Sequence, residues 1–450
     1  MRKLTGEDNR LRPEDRAVHD WYRFVLSFPP HLVRTYLERF GLGAGRRVLD
    51  PFCGTGTTIV ECKKLGIPSV GLERNPMAYF ASRVKANWNV RPGELRAHSQ
   101  MVAGRVRQRL RVDGLADEPG MPLFESGRKA PITELRTLPA DAAKLLLKDS
   151  ISPLPLHKCL ILLEIIEQCR GTGACYDHER LAFARTIVFE ASNLQFGPEV
   201  GVGPAKPDAA VVGLWFKAIH EIASDMEALS GSGGAEAEIR QGDARDVGTL
   251  IEPASIDAVI TSPPYPNEKD YTRTTRLESV LLGFVRNKAE LRALKKELVR
   301  SNTRSVYTID RDDELVANHR EIQRIAEAIE QRRIELRKTS GFERMYARVT
   351  KLYFGGMARH LAGLRTVLKP GAQLAYVVGD QASYLRIMIR TGQILADIAQ
   401  SLGYEVTGID LFRTRLATAT REALREEVVL LRWPGNNISS GTDLLNGRTG

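Results

Sequence analysis

The sequence feature that most constrains the fold is the segment RRVLDPFCGTGTT at residues 46–58. A short apolar run enters a glycine-rich turn, and a helical pattern follows from about Thr57 to Leu65 and ends at Gly66. A strand, a tight turn and a helix in this order are typical of α/β proteins that bind a ligand at the carboxyl end of the strand. The segment therefore predicts a ligand-binding α/β domain.

The residues of the glycine turn predict a ligand that carries both a positive and a negative charge. Gly54 and Gly56 let the backbone bend and approach a ligand where a Cβ atom would collide. The free N–H groups at the start of the next helix, beside Thr57 and Thr58, suit a carboxylate. Asp50, at the end of the strand, suits an ammonium group. An amino acid carries both groups on one carbon, so the turn predicts an amino-acid moiety.

Two other ligand classes lack their signatures at this turn. A nicotinamide-dinucleotide fingerprint requires a third glycine at position 59, where the chain has Ile59. A phosphate-binding P-loop requires a Gly-Lys-Ser/Thr sequence, which the turn does not contain. The turn therefore excludes both classes and leaves the amino-acid ligand.

Acidic residues at the next two predicted strands extend this ligand. Glu73, in the strand segment 69–76, could accept hydrogen bonds from the two hydroxyls of a ribose. Asp243, in the segment 237–246, could accept a hydrogen bond from the exocyclic amine of an adenine. Either carboxylate taken alone would equally suit a solvated strand end. An amino acid, a ribose and an adenine together form S-adenosylmethionine, which we predict as the cofactor.

The most specific feature of the sequence is TSPPY at residues 261–265, directly after an apolar run. Two consecutive prolines donate no backbone hydrogen bonds and hold a stiff, extended turn. The carbonyls of Ser262 and Pro263 can then face a ligand, and Tyr265 offers an aromatic face for a planar ring. Because the loop follows a strand of the predicted sheet, it lies at the edge where ligands bind. The loop therefore predicts a site for a planar ring that carries an amino group.

These motifs resemble those of the DNA amino-methyltransferases of restriction–modification systems, the N4-cytosine/N6-adenine group. The segment at 46–58 resembles the family's cofactor motif, TSPPY its catalytic motif, and FPPHLVRTYLERF at 28–40 the motif that covers the methionine end of the cofactor. The resemblance implies as cofactor-binding residues Pro30, Asp50, Phe52, Cys53, Gly54, Gly56, Thr57, Thr58, Glu73, Arg74, Asp243, Ala244 and Thr261. It implies as catalytic residues Ser262, Pro263, Pro264 and Tyr265, and as DNA contacts Asn267, Asp270, Tyr271 and Arg273.

The cysteine positions argue against methylation of a ring carbon. Attack on C5 of cytosine requires a thiolate near the catalytic loop, and the chain has no cysteine after Cys175. Direct attack by an exocyclic nitrogen remains, with the base flipped out of the duplex and stacked on Tyr265. Family members with Ser-Pro-Pro mostly modify cytosine N4, so Ser262 favours cytosine N4 over adenine N6. An RNA base methyltransferase and a non-enzymatic DNA-binding protein remain alternatives, which methyl transfer to DNA or RNA and cofactor binding would distinguish.

The alternation of predicted strands and helices indicates an α/β fold. We expect a Rossmann-like class I methyltransferase sheet, mostly parallel with an antiparallel C-terminal strand pair, plus helical insertions. The expected boundaries are 1–91, 236–285 and 352–435 for the catalytic domain, 92–235 and 286–351 for the first and second insertions, and 436–450 for a disordered tail. The first insertion is the candidate target-recognition region. Its sequence pattern predicts several helices, including 141–148 and 178–193, and a Pro/Gly-rich break at 197–207. The second, with 17 Lys/Arg against 11 Asp/Glu, is the candidate DNA-backbone contact, through Arg332 and Arg333.

The charge balance favours a polyanionic partner. The 450-residue chain has a formal net charge of +10, and basic side chains that neutralise phosphates release condensed counterions. We therefore expect double-stranded DNA as the partner, with a cognate restriction endonuclease as a candidate second partner. No apolar run reaches transmembrane length, residues 1–16 do not resemble a signal peptide, and five irregularly spaced cysteines indicate neither a metal site nor disulfides. These features predict a cytoplasmic protein that associates with the nucleoid through DNA.

Overall fold

The computed structural model describes residues 11–24, 27–118, 134–171, 173–197, 199–231, 234–266, 269–416 and 423–435. The strands in these residues are β1 (Val48–Asp50), β2 (Ser69–Glu73), β3 (Leu194–Phe196), β4 (Val200–Val202), β5 (Ala237–Gln241), β6 (Ile256–Thr261), β7 (Leu368–Gly379), β8 (Glu405–Leu416) and β9 (Ala423–Arg432). Seven of them form one sheet in the order β5-β2-β1-β6-β7-β9-β8. The first five strands in this sheet order are parallel, whereas β9 pairs antiparallel with both β7 and β8. The predicted fold class, including the antiparallel C-terminal pair, is confirmed.

Helices connect the strands and form both insertions. They are α1 (Arg16–His19), α2 (Pro30–Arg39), α3 (Thr57–Lys64), α4 (Pro76–Ala86), α5 (Pro92–Val112), α6 (Ala140–Ala143), α7 (Pro153–Gln168), α8 (Tyr176–Arg185), α9 (Val211–Ala228), α10 (Val247–Leu250), α11 (Tyr271–Thr274), α12 (Arg276–Leu281), α13 (Lys288–Lys296), α14 (Arg320–Glu335), α15 (Tyr346–Leu364) and α16 (Thr391–Ser401). The helix predicted after the glycine turn is α3. Gly66, with φ +71°, follows it at the predicted stop, where a left-handed residue suits glycine.

The first insertion shares its core with the catalytic domain. Trp215 on α9 and Phe183 on α8 belong to the same buried cluster as Val60 on α3 and Phe80 on α4. Burial of apolar side chains is the main favourable term in folding, so this shared core holds the insertion helices against the sheet domain. The range 92–235 is therefore an elaboration of one face of the sheet domain.

Three local predictions in the first insertion need correction. The helix predicted at 141–148 is only the single turn α6, because the bonds that follow it tighten to Leu145 N–Ala142 O and Leu146 N–Ala143 O. The helix predicted at 178–193 is α8, which continues into a π-helical turn at Thr186–Ala191. The segment 197–207, predicted as a break, contains part of the β3–β4 hairpin.

The second insertion packs on the other face of the sheet through α14 and α15. Ile325 and Ile329 on α14 share a buried cluster with Tyr353 on α15 and Tyr376 on β7. The predicted boundary at residue 351 falls inside α15, so this helix links the insertion to the sheet. The predicted tail at 436–450 lies outside the described residues.

All five cysteines lie in the described residues and are buried as free thiols. They are Cys53, Cys62, Cys159, Cys169 and Cys175. None of the helices in the described ranges combines the length and the apolar character needed to cross a bilayer.

Candidate active site

A cavity of about 310 Å³ lies along the edge of the sheet where the parallel strands end. The sheet order places the residues after β5 and β2 at one end, those after β1 and β6 in the middle, and those of β7, β8 and β9 at the other end. Ligand sites in open α/β sheets lie at this edge. The predicted site residues that line it are Phe52, Cys53, Gly54, Thr57, Glu73, Arg74, Asp243, Ala244, Ser262, Pro263, Pro264, Tyr265, Asp270 and Tyr271.

The glycine turn is held in a left-handed conformation at both glycines. Gly54 has φ +52° and Gly56 has φ +86°, values that side chains with a Cβ rarely adopt. Gly54 lines the cavity, as predicted. Gly56 lies instead against α4, where a Cβ would come within 3.1 Å of Cβ of Ser82. The close approach at Gly56 is therefore to the neighbouring helix, and its contact with a ligand stays a prediction.

Asp50 lies just beneath the cavity and not in its wall. Its Oδ1 accepts hydrogen bonds from Thr261 Oγ1 at 2.6 Å and from the Phe52 amide at 3.2 Å, which ties the end of β1 to the end of β6. Its Oδ2 is buried without a hydrogen-bond partner among the described residues. Burial raises the pKa of Asp50 to about 6. The unpaired oxygen is a place where a ligand cation would be stabilised.

Glu73 braces the glycine turn from the end of β2. Its Oε2 accepts a hydrogen bond from the Gly54 amide at 2.8 Å, and its Oε1 accepts one from the Asn75 amide at 2.7 Å. Burial raises the pKa of Glu73 to about 7. The carboxylate lines the cavity and has further acceptor capacity for hydroxyl donors.

The TSPPY loop occupies the middle of the cavity. Ser262 donates its hydroxyl proton to the Val377 carbonyl at 3.1 Å, which leaves the lone pairs of Oγ available as acceptors. The ring of Tyr265 lies close to Gly379, where a Cβ would come within 3.0 Å of Cε2 of the ring. Glycine at this position therefore makes room for the aromatic side chain beside Ser262.

The far end of the cavity combines aromatic rings with one ion pair. Phe412 on β8 lines this end, and Phe24 and Phe28 also line the cavity. Arg413 on β8 donates from Nε and Nη2 to the carboxylate of Glu426 on β9, at 2.6 and 2.7 Å. Apolar faces beside a polar pair suit a flat ring with a polar edge. The sequence does not identify Phe412, Arg413 and Glu426 as site residues, because β8 and β9 carry no recognisable motif.

Asp243 lies at the opposite end and is part of a charged network. Its carboxylate accepts hydrogen bonds from Nε and Nη2 of Arg245, at 3.0 and 2.6 Å from Oδ2. Arg245 in turn donates to Asp312 of the second insertion at 2.7 Å. The predicted adenine-binding carboxylate is thus already engaged by a guanidinium.

The second insertion also contributes to the cavity wall, which the sequence did not predict. Residues that line the cavity from this insertion are Lys295, Glu297, Leu298, Val299, Ser301, Asn302 and Ser305. Lys295 forms an ion pair with Asp270 at 2.5 Å, and Glu297 forms one with Arg74. Asp270 and Arg74 lie in loops that follow strands of the sheet, so the two ion pairs hold the segment 295–305 against the sheet domain.

Several predicted site residues lie away from the cavity. Pro30, Thr58, Thr261 and Arg273 are described but are not in the cavity wall. Of the predicted cover segment 28–40, Phe28 lines the cavity, as does Ser27 just before it. Arg332 and Arg333 lie on α14, where they pair with Glu335 and Glu330. Asn267 lies outside the described residues. Among the described residues, no group of three or more His, Cys, Asp or Glu side chains is placed to hold a metal ion.

Comparison with known proteins gives matches to methyltransferases. A family model described as DNA methylase matches residues 9–82, which include the glycine turn and Glu73. The Type II methyltransferase M.BsoBI of Geobacillus stearothermophilus is 25% identical over 461 residues, covering 94% of this chain and 86% of that protein. The Type II methyltransferase M.AvaI of Nostoc sp. is 24% identical, covering 96% of this chain and 89% of that protein.

A shorter match extends to an RNA-modifying enzyme. The tRNA (guanine(10)-N2)-dimethyltransferase of Methanothermobacter thermautotrophicus is 37% identical over 65 residues. These residues cover 14% of this chain and 18% of that protein. This match is too short to span the first insertion, whereas the two Type II methyltransferases match almost the whole chain.

Proposed function

Because the chain belongs to the DNA amino-methyltransferase family, whose methyl donor is S-adenosylmethionine, we propose that it methylates the exocyclic N4 of cytosine in duplex DNA. The observation that carries this proposal is the TSPPY loop, in the middle of a cavity with charged ligand groups on one side and aromatic rings on the other. The loop separates a subsite for the cofactor from a subsite for a flipped base.

The residues of the cavity fit S-adenosylmethionine. The buried Oδ2 of Asp50 has no partner among the described residues, and the ammonium group of the cofactor would supply one. Thr57 begins α3, whose N-terminus suits the cofactor carboxylate. Glu73 would accept hydrogen bonds from the ribose hydroxyls. When bound, the cofactor supplies a methyl group activated by the sulfonium.

The TSPPY loop would hold the target amine in a reactive geometry. The lone pair of an exocyclic amine is delocalised into the ring, so the free base is a poor nucleophile. Ser262 Oγ and the Pro263 carbonyl would accept its two N–H groups and favour a tetrahedral nitrogen. Tyr265 would stack on the flipped base. Positioning and fixed dipoles then supply most of the rate, without a general base.

Methylation of cytosine C5 is disfavoured by the state of the single cysteine that lines the cavity in the described residues. C5 chemistry requires a thiolate that adds to the ring. Cys53 lies in the cofactor turn, and burial raises its pKa well above the usual value of a thiol. A neutral thiol on the cofactor side is not a nucleophile for a base on the other side.

Two observations support cytosine over adenine as the target. Within the family, Ser-Pro-Pro mostly accompanies cytosine N4 modification, and Ser262 fits this pattern. Arg413 and Glu426 add a guanidinium to the base end of the cavity. Cytosine presents two neighbouring acceptors, N3 and O2, beside its amino group, whereas adenine presents N1 beside a C–H. Donors at this end therefore suit cytosine better.

The insertions are assigned to DNA binding within the same proposal. The second insertion (286–351) would contact the DNA backbone, and the first insertion (92–235) would contribute sequence readout. A cognate restriction endonuclease would recognise the same sequence. In this proposal the enzyme acts in the cytoplasm, at the nucleoid.

Mass spectrometry of methylated nucleic acid tests the proposed function. The purified protein is incubated with isotopically labelled S-adenosylmethionine and with either unmethylated duplex DNA or total RNA, and the nucleosides are then analysed. We expect labelled N4-methylcytosine from DNA alone. Labelled N6-methyladenine would overturn the cytosine assignment, and label in RNA alone would favour the RNA alternative. Cofactor binding without transfer to any substrate would favour the non-enzymatic alternative.

A further inference from the structure

Asn302 in the second insertion carries a buried acceptor that no described residue satisfies. Its side chain is 5% exposed and lines the cavity. Its Oδ1 is buried without a hydrogen-bond partner among the described residues. An unsatisfied buried acceptor is costly, and native proteins rarely keep one without a ligand or water to pair with it.

The orientation of this amide is fixed by its other atoms. Nδ2 of Asn302 donates to the Lys269 carbonyl at 3.1 Å, so the amide cannot be reversed without losing that bond. The Asn302 carbonyl accepts a hydrogen bond from Ser305 Oγ at 3.0 Å. Tyr384 donates its hydroxyl proton to the Ser301 carbonyl at 3.0 Å. The segment is therefore anchored on both sides, and Oδ1 remains as its one unsatisfied side-chain acceptor.

The apolar residues just before Asn302 in the segment 295–305 suit an adenine ring. Leu298 and Val299 of the same segment line the cavity with Leu72 and Ala244 of the sheet domain. Val299 packs near Gly356 on α15, where a Cβ would come within 3.4 Å of its Cγ1. The same Cβ position is 3.7 Å from Cδ of Arg245, whose hydrogen-bond partner Asp243 follows β5. This places Val299 at the β5 end of the cavity, where the sequence predicts the adenine.

We propose that Asn302 Oδ1 accepts a hydrogen bond from the 6-amino group of the cofactor's adenine, and that the segment 295–305 is the element that selects this base. The proposal rests on S-adenosylmethionine as the cofactor. The sequence predicts Asp243 for this contact, but its carboxylate is held by Arg245, whereas Oδ1 of Asn302 has no competing donor in the described residues. The second insertion thus serves the cofactor, in addition to any role in DNA binding.

Calorimetry with S-adenosylhomocysteine tests the proposal without turnover. The second ligand is its 6-deamino analogue, which has hydrogen at position 6 and lacks only the proposed donor. The wild-type protein should bind the parent ligand about tenfold or more tightly than the analogue, because the analogue leaves Oδ1 unpaired. This comparison needs no substitution, so it does not depend on the folding of a variant.

The variant Asn302→Leu then assigns the contact to one residue. It should weaken binding of S-adenosylhomocysteine by about tenfold and bind the 6-deamino analogue as the wild type does. Asn318→Leu, an exposed asparagine of the same insertion, is the matched control and should change neither affinity. Thermal unfolding without ligand checks that each variant folds.

Other binding results would overturn the proposal or contradict the proposed function. Equal wild-type affinities for the two ligands would overturn the proposal. If Asn302→Leu still prefers S-adenosylhomocysteine over the analogue as strongly as the wild type does, another acceptor such as Asp243 binds the amine, and the proposal is overturned. If Asn302→Leu loses as much affinity for the analogue as for S-adenosylhomocysteine, the proposal is also overturned. Binding of 2′- and 3′-deoxy ligands would then show whether a ribose hydroxyl is the donor. Absence of any binding by the wild-type protein would instead contradict the proposed function.

Discussion

The hydroxyl of Ser262 is the group whose removal most directly tests the proposed chemistry. In Ser262→Ala the hydrogen bond to the Val377 carbonyl is lost together with the acceptor for the target amine. The first loss affects folding by about 1 kcal/mol, a typical net value for one internal hydrogen bond. The second removes a contact that strengthens as the nitrogen becomes tetrahedral, which typically costs about 2 to 4 kcal/mol of activation free energy.

These magnitudes predict a selective loss of rate. At about 1.4 kcal/mol per tenfold, the methyl-transfer rate constant should fall by roughly 30-fold to 1,000-fold. The affinity for S-adenosylhomocysteine should stay within about twofold of wild type, because the hydroxyl lies on the base side of the cavity. Single-turnover transfer of a labelled methyl group to duplex DNA measures the rate constant, and calorimetry measures the affinity.

The matched control is Ser255→Ala, on the same segment of chain just before β6. Its hydroxyl also donates to a single backbone carbonyl, that of Glu252, but it lies far from the cavity wall. We expect wild-type transfer from this variant. A wild-type rate constant in Ser262→Ala would refute the role assigned to the hydroxyl, as would an equal loss in both variants.

Three further predictions concern the cofactor turn and the DNA contact. Gly56→Ala should lower the melting temperature, because its φ of +86° and the 3.1 Å approach to Ser82 both penalise a Cβ; an unchanged melting temperature would contradict this reading of the turn. Ribose hydroxyls pair with the ionised form of Glu73, whose pKa burial raises to about 7, so affinity for S-adenosylhomocysteine should rise with pH through about 7 and then level off. Glu73→Gln should flatten this rise, and the same slope in the variant would assign the titration to another group. Replacing Arg332 and Arg333 by Gln should weaken binding to all duplexes and reduce its salt dependence by about one unit of slope per lost phosphate contact. The pairs of these arginines with exposed glutamates are weak and can be exchanged for phosphate contacts. Unchanged salt dependence would mean that these arginines do not contact phosphates and only keep the surface of the helix charged.

The sheet and its central loops could be predicted because local sequence determines them. Gly54 and Gly56 specify a turn through φ values that other residues resist, and two prolines in TSPPY specify a stiff loop. Alternating apolar strands and helical patterns then fix the order of elements. Most residues predicted from these motifs accordingly lie in the cavity wall.

The residues that the sequence does not predict reach the cavity through contacts between elements that are distant in sequence. Asn302 comes from an insertion, and Arg413 meets Glu426 only because β8 and β9 pair antiparallel. The sequence does not reveal that α4 packs against the turn at Gly56. It also does not reveal the hydrogen bond between Asp50 and Thr261, because this bond joins two strands that are distant in sequence.

The burial of every cysteine gives the native protein a chemical reporter of its own unfolding. Alkylating reagents react with thiolates, and burial raises the pKa of four of the five thiols: Cys53, Cys62, Cys159 and Cys175. Because these thiols lie in both the sheet domain and the first insertion, the order in which they become labelled under mild denaturant records which part opens first. Cys53 in the glycine turn would be shielded further by a bound ligand, so its protection from alkylation measures occupancy without a labelled ligand.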